Sequence, residues 1–191
     1  LPNLGTGRTY LVCCGKHICS GCMHTFQSGA AKEEDYVCPF CRSPLSISDE
    51  EMIKRFEKRI ELNDENAIYN FGCLYFRGEF GLPRNYAKAL KLWHRAGELG
   101  RASAYYGIGN LYNNGNGVER DMKKAIHYYE LAAMGGDEVA RHNLGCFEAN
   151  LGNMNRAQKH WMIAVRDGEH DALENVKFMY MDGHATKDDY T

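Results

Sequence analysis

From Ser48 onward, apolar residues recur at helical spacing. Met52, Ile53, Phe56, Ile60 and Leu62 fall on one helical face. Ser48 ahead of them and Glu51 three residues on form a capping box, which predicts a connecting helix from about Asp49 to Leu62. Beyond Asn63 the pattern becomes periodic. Ala67, Phe71, Gly72, Tyr75 and Gly78 return as Ala104, Ile108, Gly109, Tyr112 and Gly115. Gly81-Leu82-Pro83-Arg84-Asn85 with Lys88-Ala89 returns as Gly117-Val118-Glu119-Arg120-Asp121 with Lys124-Ala125, and each run continues to an aromatic (Trp93, Tyr129) and an alanine (Ala96, Ala132). A period of about 36 residues is that of a helical hairpin. A third unit begins at Ala140, keeps Leu144-Gly145, has a shortened loop around Asn150 to Asn155 and resumes with Ala157, Trp161 and Ala164. A fourth starts at Ala172, keeps Val176, Tyr180 and Gly183, and is expected to be cut short at Thr191.

The repeated residues have a physical logic. Ala67, Gly72, Ala104, Gly109, Ala140 and Gly145 are small enough to let antiparallel helices approach, while Phe71, Ile108, Leu144 and the aromatics fill the groove between them. Glycine inside a helix costs about 0.5 to 1 kcal/mol, so Gly72, Gly109 and Gly145 are expected to be held by close packing. Residues 66–168 resemble three Sel1-like repeats, relatives of the tetratricopeptide repeat; Gly115-Asn116-Gly117-Val118 with Asp121 and Lys124-Ala125 is similar to that family's signature. The departures are Asn85 where Asp is expected, the short third loop, and Lys177 at a small-residue position. The resemblance implies a mainly α fold, a right-handed α-solenoid with units at 66–100, 101–136 and 137–168 and a partial one at 169–191.

The first forty-odd residues are rich in Gly, Ser, Cys and Thr without a helical period, which suits a small metal-stapled module over 1–48, joined by a connecting segment at 49–65. Six of the eight cysteines lie before Arg42. Cys19-Ser-Gly-Cys22 and Cys38-Pro-Phe-Cys41 have the spacing that presents two thiolates from one turn to tetrahedral Zn2+, and Cys13-Cys14 sit just ahead. A disulfide framework is the alternative, against which the solitary Cys73 and Cys146 argue; those two read as small core residues.

The order Cys13, Cys14, Cys19, Cys22, Cys38-Pro39, Cys41-Arg42 resembles a RING finger from its third ligand onward, of the kind whose ligands are all cysteine. The resemblance implies a cross-brace in which Cys13, Cys14, Cys38 and Cys41 close one site. Cys19 and Cys22 would form half of another, with its other pair expected before Leu1. Adjacent cysteines tend to diverge, so His17 in place of Cys13 stays open. The resemblance also implies contact with a ubiquitin-conjugating enzyme through Pro39 and Arg42, the ordinary alternative for Arg42 being an exposed surface residue.

Composition narrows the partners. With 44% hydrophobic residues, 25% charged and a net charge of −2, there is no polyanion bias, and no nucleic acid partner is expected. No window is long and apolar enough for a membrane span, and no signal-peptide pattern opens the chain. The start at Leu1 rather than Met is expected of a fragment, which leaves an upstream targeting segment open; clustered reduced cysteines favour the cytoplasm or nucleus. None of the phosphate-loop, dinucleotide, zinc-protease or serine-hydrolase motifs occurs, and His94, His127, His142 and His160 read as surface or interhelical polar residues.

The first helices of stacked hairpins usually line a concave face. Registering the units places Tyr69, Asn70, Arg77, Tyr106, Asn110, Asn113, His142 and Asn143 on it, a set that suits an extended protein or peptide ligand. The competing reading makes the asparagines interhelical hydrogen-bonding residues and the tyrosines packing residues. Together these features predict a modular adaptor: a RING-like zinc module recruiting one protein, and helical repeats recruiting another.

Overall fold

The computed structural model describes residues 3–4, 8–28 and 36–181, so the stretch 29–35, and Gly183 of the fourth unit, lie outside the described residues. The chain divides into two compact units, residues 1–99 and 100–191.

The first unit opens with a small antiparallel sheet, β1 (Asn3–Leu4), β2 (Arg8–Leu11) and β3 (Lys16–Cys19), in the order β1-β2-β3. The turn between β2 and β3 pairs Tyr10 with His17 and Leu11 with Lys16. Strands were not evident in the sequence, because β2 is a short run, Thr9-Tyr10-Leu11, buried throughout rather than alternating. Helix α1 (Ser20–Ser28) follows directly. Helix α2 (Asp49–Glu61) starts where the capping pattern places it: Ser48 accepts from the Glu51 amide. The Glu51 carboxylate, the other half of the box, binds Arg55 instead.

Helices α3 (Glu65–Arg77) and α4 (Tyr86–Glu98) form the first hairpin. Asp64 caps α3 and Asn85 caps α4, each by a side-chain oxygen on backbone N–H groups, an interaction worth about 1 kcal/mol. Gly78 ends α3 at φ 73°, the left-handed conformation that a glycine reaches without a Cβ clash. Phe56 of α2 stacks on Phe71 of α3 at 5.7 Å, within a core that also takes in Tyr10, Val12, Ala67 and Leu74. The strand before the cysteines and the first hairpin therefore share one hydrophobic cluster.

The second unit contains α5 (Ala102–Asn114), α6 (Met122–Met134), α7 (Glu138–Asn150), α8 (Met154–Arg166) and α9 (His170–Met181). Helices α5 and α6 pair as one hairpin and α7 and α8 as the next, with a three-residue link at 151–153 in the latter. The helical glycines are held as the packing argument requires. A Cβ on Gly72 would lie 2.6 Å from the Trp93 indole, one on Gly109 2.7 Å from the Tyr129 ring, and one on Gly145 2.5 Å from Trp161. Each hairpin thus seats a large aromatic of its second helix on a glycine of its first.

Candidate functional site

The turn between β2 and β3 carries Cys13 and Cys14. The amides of Cys14 and Gly15 both donate to Leu11 O, and Gly15 completes the turn at φ 70°. A second tight turn carries Cys38 and Cys41. Cys38 N donates to Ser43 O, Arg42 N to Cys38 O, and Phe40 N to Cys38 Sγ at 3.4 Å. Arg42, directly after the last cysteine, is left-handed at φ 61°.

The two turns meet. One sulfur each from Cys13, Cys14, Cys38 and Cys41 all lie within 4.8 Å of one another. Cys14 Sγ and Cys38 Sγ stand 3.7 Å apart, against about 3.8 Å for the edge of a tetrahedron with 2.3 Å metal–sulfur bonds. The donor set and spacing therefore fit a tetrahedral thiolate-preferring ion. Adjacent Cys13 and Cys14 do converge, while the His17 ring packs at 5.3 Å from that of Tyr10. Cys19 and Cys22 are exposed and outside the cluster, linked to each other by Cys22 N on Cys19 Sγ at 3.3 Å. None of the eight cysteines is in a disulfide.

The electrostatics of the cluster explain why it suits a cation. Burial pushes the Cys13 thiol well up, and the neighbouring Cys41 and Cys38 sulfurs push it further. Burial likewise raises Cys14. Cys41 is held down to about 6 by the hydroxyl and amide of Ser43. Crowded thiols resist a second negative charge, and a divalent cation supplies the compensation that lets all four lose their protons.

Around the second turn Pro39 is half-buried, Phe40 and Arg42 are exposed, and Lys16 Nζ lies 5.1 Å from the centre of the Phe40 ring. Phe40 is 47% exposed and is not among the residues that the cysteine pattern marks. The available signal is an apolar residue between two cysteines of the pattern.

A further group of residues backs the first cysteine turn. Tyr10 Oη donates to Asp64 Oδ2 at 2.8 Å, Arg59 donates to the same oxygen from Nε at 2.9 Å and also from Nη2, and Asp64 Oδ1 accepts from the amides of Asn66 and Ala67. These three side chains do not stand out in the sequence, because only the fold brings positions 10, 59 and 64 together.

The residues assigned to a concave face fall in both units. In the first, Tyr69 is half-buried and its carbonyl accepts from Trp93 Nε1, Asn70 is 1% exposed with Nδ2 lacking a hydrogen-bond acceptor among the described residues, and Arg77 is exposed beside Glu79. In the second, the Tyr106 ring lies 5.9 Å from that of Tyr129, and Asn110 accepts from Tyr129 Oη at 2.6 Å. Asn143 also reaches that phenol. Asn113 donates to Asn114, and His142 Nε2 pairs with Asn175 Nδ2 at 2.7 Å. Asn110, Asn143 and His142 thus make hydrogen bonds within the protein while remaining partly exposed.

Residues 66–100 and 102–137 match the family model for the Sel1 repeat. The chain is similar to ERAD-associated E3 ubiquitin-protein ligase component HRD3B of Arabidopsis thaliana, 34% identical over 98 residues, covering 51% of this chain and 15% of that protein. It is also similar to chitin synthase regulatory factor 4 of Schizosaccharomyces pombe, 25% identical over 136 residues, covering 71% and 22%. Less than a quarter of either relative's length is spanned. Among solved structures, a Sel1 repeat protein from Oxalobacter formigenes superposes with a TM-score of 0.66 and 26% identity over 75% of this chain and 61% of that one.

Proposed function

We propose that this protein, whose residues 66–100 and 102–137 match the Sel1 repeat, is a modular adaptor that binds one protein through its helical hairpins and a second through a zinc-held cysteine module. The convergence of Cys13, Cys14, Cys38 and Cys41 within 4.8 Å is the observation that carries the reading. The relatives named for a ubiquitin ligase component and for a synthase regulatory factor favour a protein-interaction role rather than chemistry on a small substrate. A thiolate centre requires reduced cysteines, which favours the cytoplasm or nucleus for the adaptor.

In the finer form of the proposal the module is a RING-type centre and the repeats select the substrate of a ubiquitin ligase. The module then supplies no nucleophile. Pro39 and Phe40 would offer an apolar edge to a ubiquitin-conjugating enzyme, and Arg42 beside them a charge for the joint between enzyme and ubiquitin. The second reading keeps zinc as a purely structural staple in a non-catalytic scaffold, favoured by the packing of Cys38 with Leu11 and Met23 in one core cluster.

Zinc content per chain, with and without Cys38→Ser, tests the metal. Discharge of ubiquitin from a panel of charged conjugating enzymes by zinc-loaded protein tests the ligase. Discharge that Arg42→Ala abolishes supports the RING form; bound zinc with no discharge across the panel leaves the scaffold.

A further inference from the structure

We propose that the metal state of the cysteine cluster controls the order of the first repeat, through a relay built of Tyr10, Gly15, Arg59 and Asp64. The inference rests on the zinc reading of the cluster and goes beyond it by naming what the metal regulates.

The relay begins in the cysteine turn. Leu11 O holds the amides of Cys14 and Gly15, so the turn that presents two of the four sulfurs is one rigid piece with the end of β2. Its outer face lies directly on the end of α2: a Cβ built on Gly15 would overlap the Arg59 guanidinium and fall 2.7 Å from Asp64 Oδ2. Only glycine, at φ 70°, lets the ligand turn and the guanidinium approach so closely. Tyr10 precedes the turn, is 2% exposed, and places its phenol on Asp64. The carboxylate divides its two oxygens: Oδ2 takes Tyr10 and Arg59, while Oδ1 takes the first free amides of α3 at 3.1 Å each. Asp64 is therefore both the cap of the first repeat and the anchor of the cysteine turn. By contrast α5, the first helix of the next hairpin, begins at Ala102 with Arg101 as its N-cap and no side-chain cap bond.

Four thiolates drawn onto one cation fix the turn at Leu11–Gly15. Without the cation, crowded thiols have no attraction to hold the two turns together, and Tyr10 and Gly15 lose their fixed positions on Arg59 and Asp64. A buried carboxylate stripped of donors is costly, so it turns toward solvent and releases the amides of α3. Half-buried Tyr69 lies on α3 about one and a half turns from that cap, and the binding competence of the first repeat is set by whether metal is bound.

The test uses the full chain, zinc-loaded or stripped with a chelator, and reads zinc content together with amide hydrogen exchange. Stripping is expected to speed exchange in Glu65–Arg77 by about tenfold, the equivalent of losing a well-formed hydrogen bond, and to leave α8 unchanged as the internal reference. Tyr10→Phe keeps the ring and the cysteines. It is expected to bind zinc fully yet to shrink the zinc-dependent difference in α3 to roughly half or less. Zinc bound in a Cys38-dependent manner with α3 exchange identical in both states overturns the relay and leaves the adaptor reading standing. Faster exchange in α8 to the same degree as in α3 also overturns it, because the effect is then global. Absence of zinc from the folded chain overturns the relay and the metal reading together.

Discussion

The phenol of Tyr10 donates to Asp64 Oδ2 at 2.8 Å across 54 positions of sequence, joining the strand that leads into the cysteine turn to the cap of the first repeat helix. Burial pushes the Asp64 carboxyl up, but Arg59, the Tyr10 phenol and the Ala67 amide outweigh it and hold the group below the usual carboxylate range. The folded protein therefore binds this proton less readily than the unfolded chain does. Its contribution to stability is complete above about pH 4, the unfolded value, and is lost as pH falls through the lower folded value.

Asp64→Asn is expected to lower stability at neutral pH by about 2 kcal/mol, because Arg59 loses its charge partner. The same variant should flatten the acid limb of the stability profile. Urea denaturation at neutral pH and at pH 3 checks both: wild type loses more on acidification than the variant does. An equal loss in the two proteins would show that Asp64 does not titrate with folding.

The glycine-aromatic seats make a second prediction. Gly109→Ala sets a methyl group 2.7 Å from the Tyr129 ring, and Gly145→Ala sets one 2.5 Å from Trp161. Both rings are buried, so neither can swing aside freely. Each change should destabilise by about 1 to 3 kcal/mol despite alanine's better helix propensity. The midpoint of chemical unfolding measures it, and a gain in stability would mean that the hairpin opens to admit the methyl.

These seats were legible in the sequence because they recur: a glycine in one helix and an aromatic 21, 20 and, across the shortened third loop, 16 residues on, is the pattern by which the two helices of a hairpin bring ring and glycine together. The cysteine cluster was legible for a similar reason, since Cys38-Pro-Phe-Cys41 can hardly point two sulfurs apart. What the sequence did not expose is the Tyr10–Arg59–Asp64 relay. Each of its residues has an ordinary local role, as strand, helix end or helix cap, and their meeting depends on how β2 packs against α2. The assignment of asparagines to a binding face has the same weakness. Register puts Asn110 and Asn143 on that side of their helices, but only the packed structure shows them reaching the Tyr129 phenol.

Arg42 separates backbone from side chain. Its φ of 61° is a conformation that costs a non-glycine residue about 1 kcal/mol. Arg42→Gly should therefore raise the stability of the zinc-loaded protein by up to about 1 kcal/mol, while Arg42→Ala should not. If the RING form holds, both substitutions abolish ubiquitin discharge, because the guanidinium is gone in each. Thermal melts beside the discharge assay would distinguish the effects; discharge retained in Arg42→Gly would remove the side chain from the mechanism.

The residues proposed for a binding face can be divided the same way between those that build the repeat and those exposed to a ligand. Tyr129 is fully buried, with Asn110 accepting its hydroxyl proton at 2.6 Å. Asn110→Ala should cost about 1 kcal/mol, the ordinary worth of the one hydrogen bond removed. Arg77 is exposed and forms a 3.6 Å ion pair with Glu79, so Arg77→Ala should change stability by less than about 0.5 kcal/mol. A peptide-library selection on the folded chain, repeated with each variant, then reads binding apart from folding. Ligands lost with Arg77→Ala at unchanged stability place the recognition surface on the exposed end of α3. Ligands indifferent to Arg77 but lost with Tyr106→Ala, at a stability cost no larger than that of Asn110→Ala, place it on α5 instead. Loss of binding only in variants that also lose several kcal/mol would mean that these polar residues serve the repeat itself and that recognition uses another face.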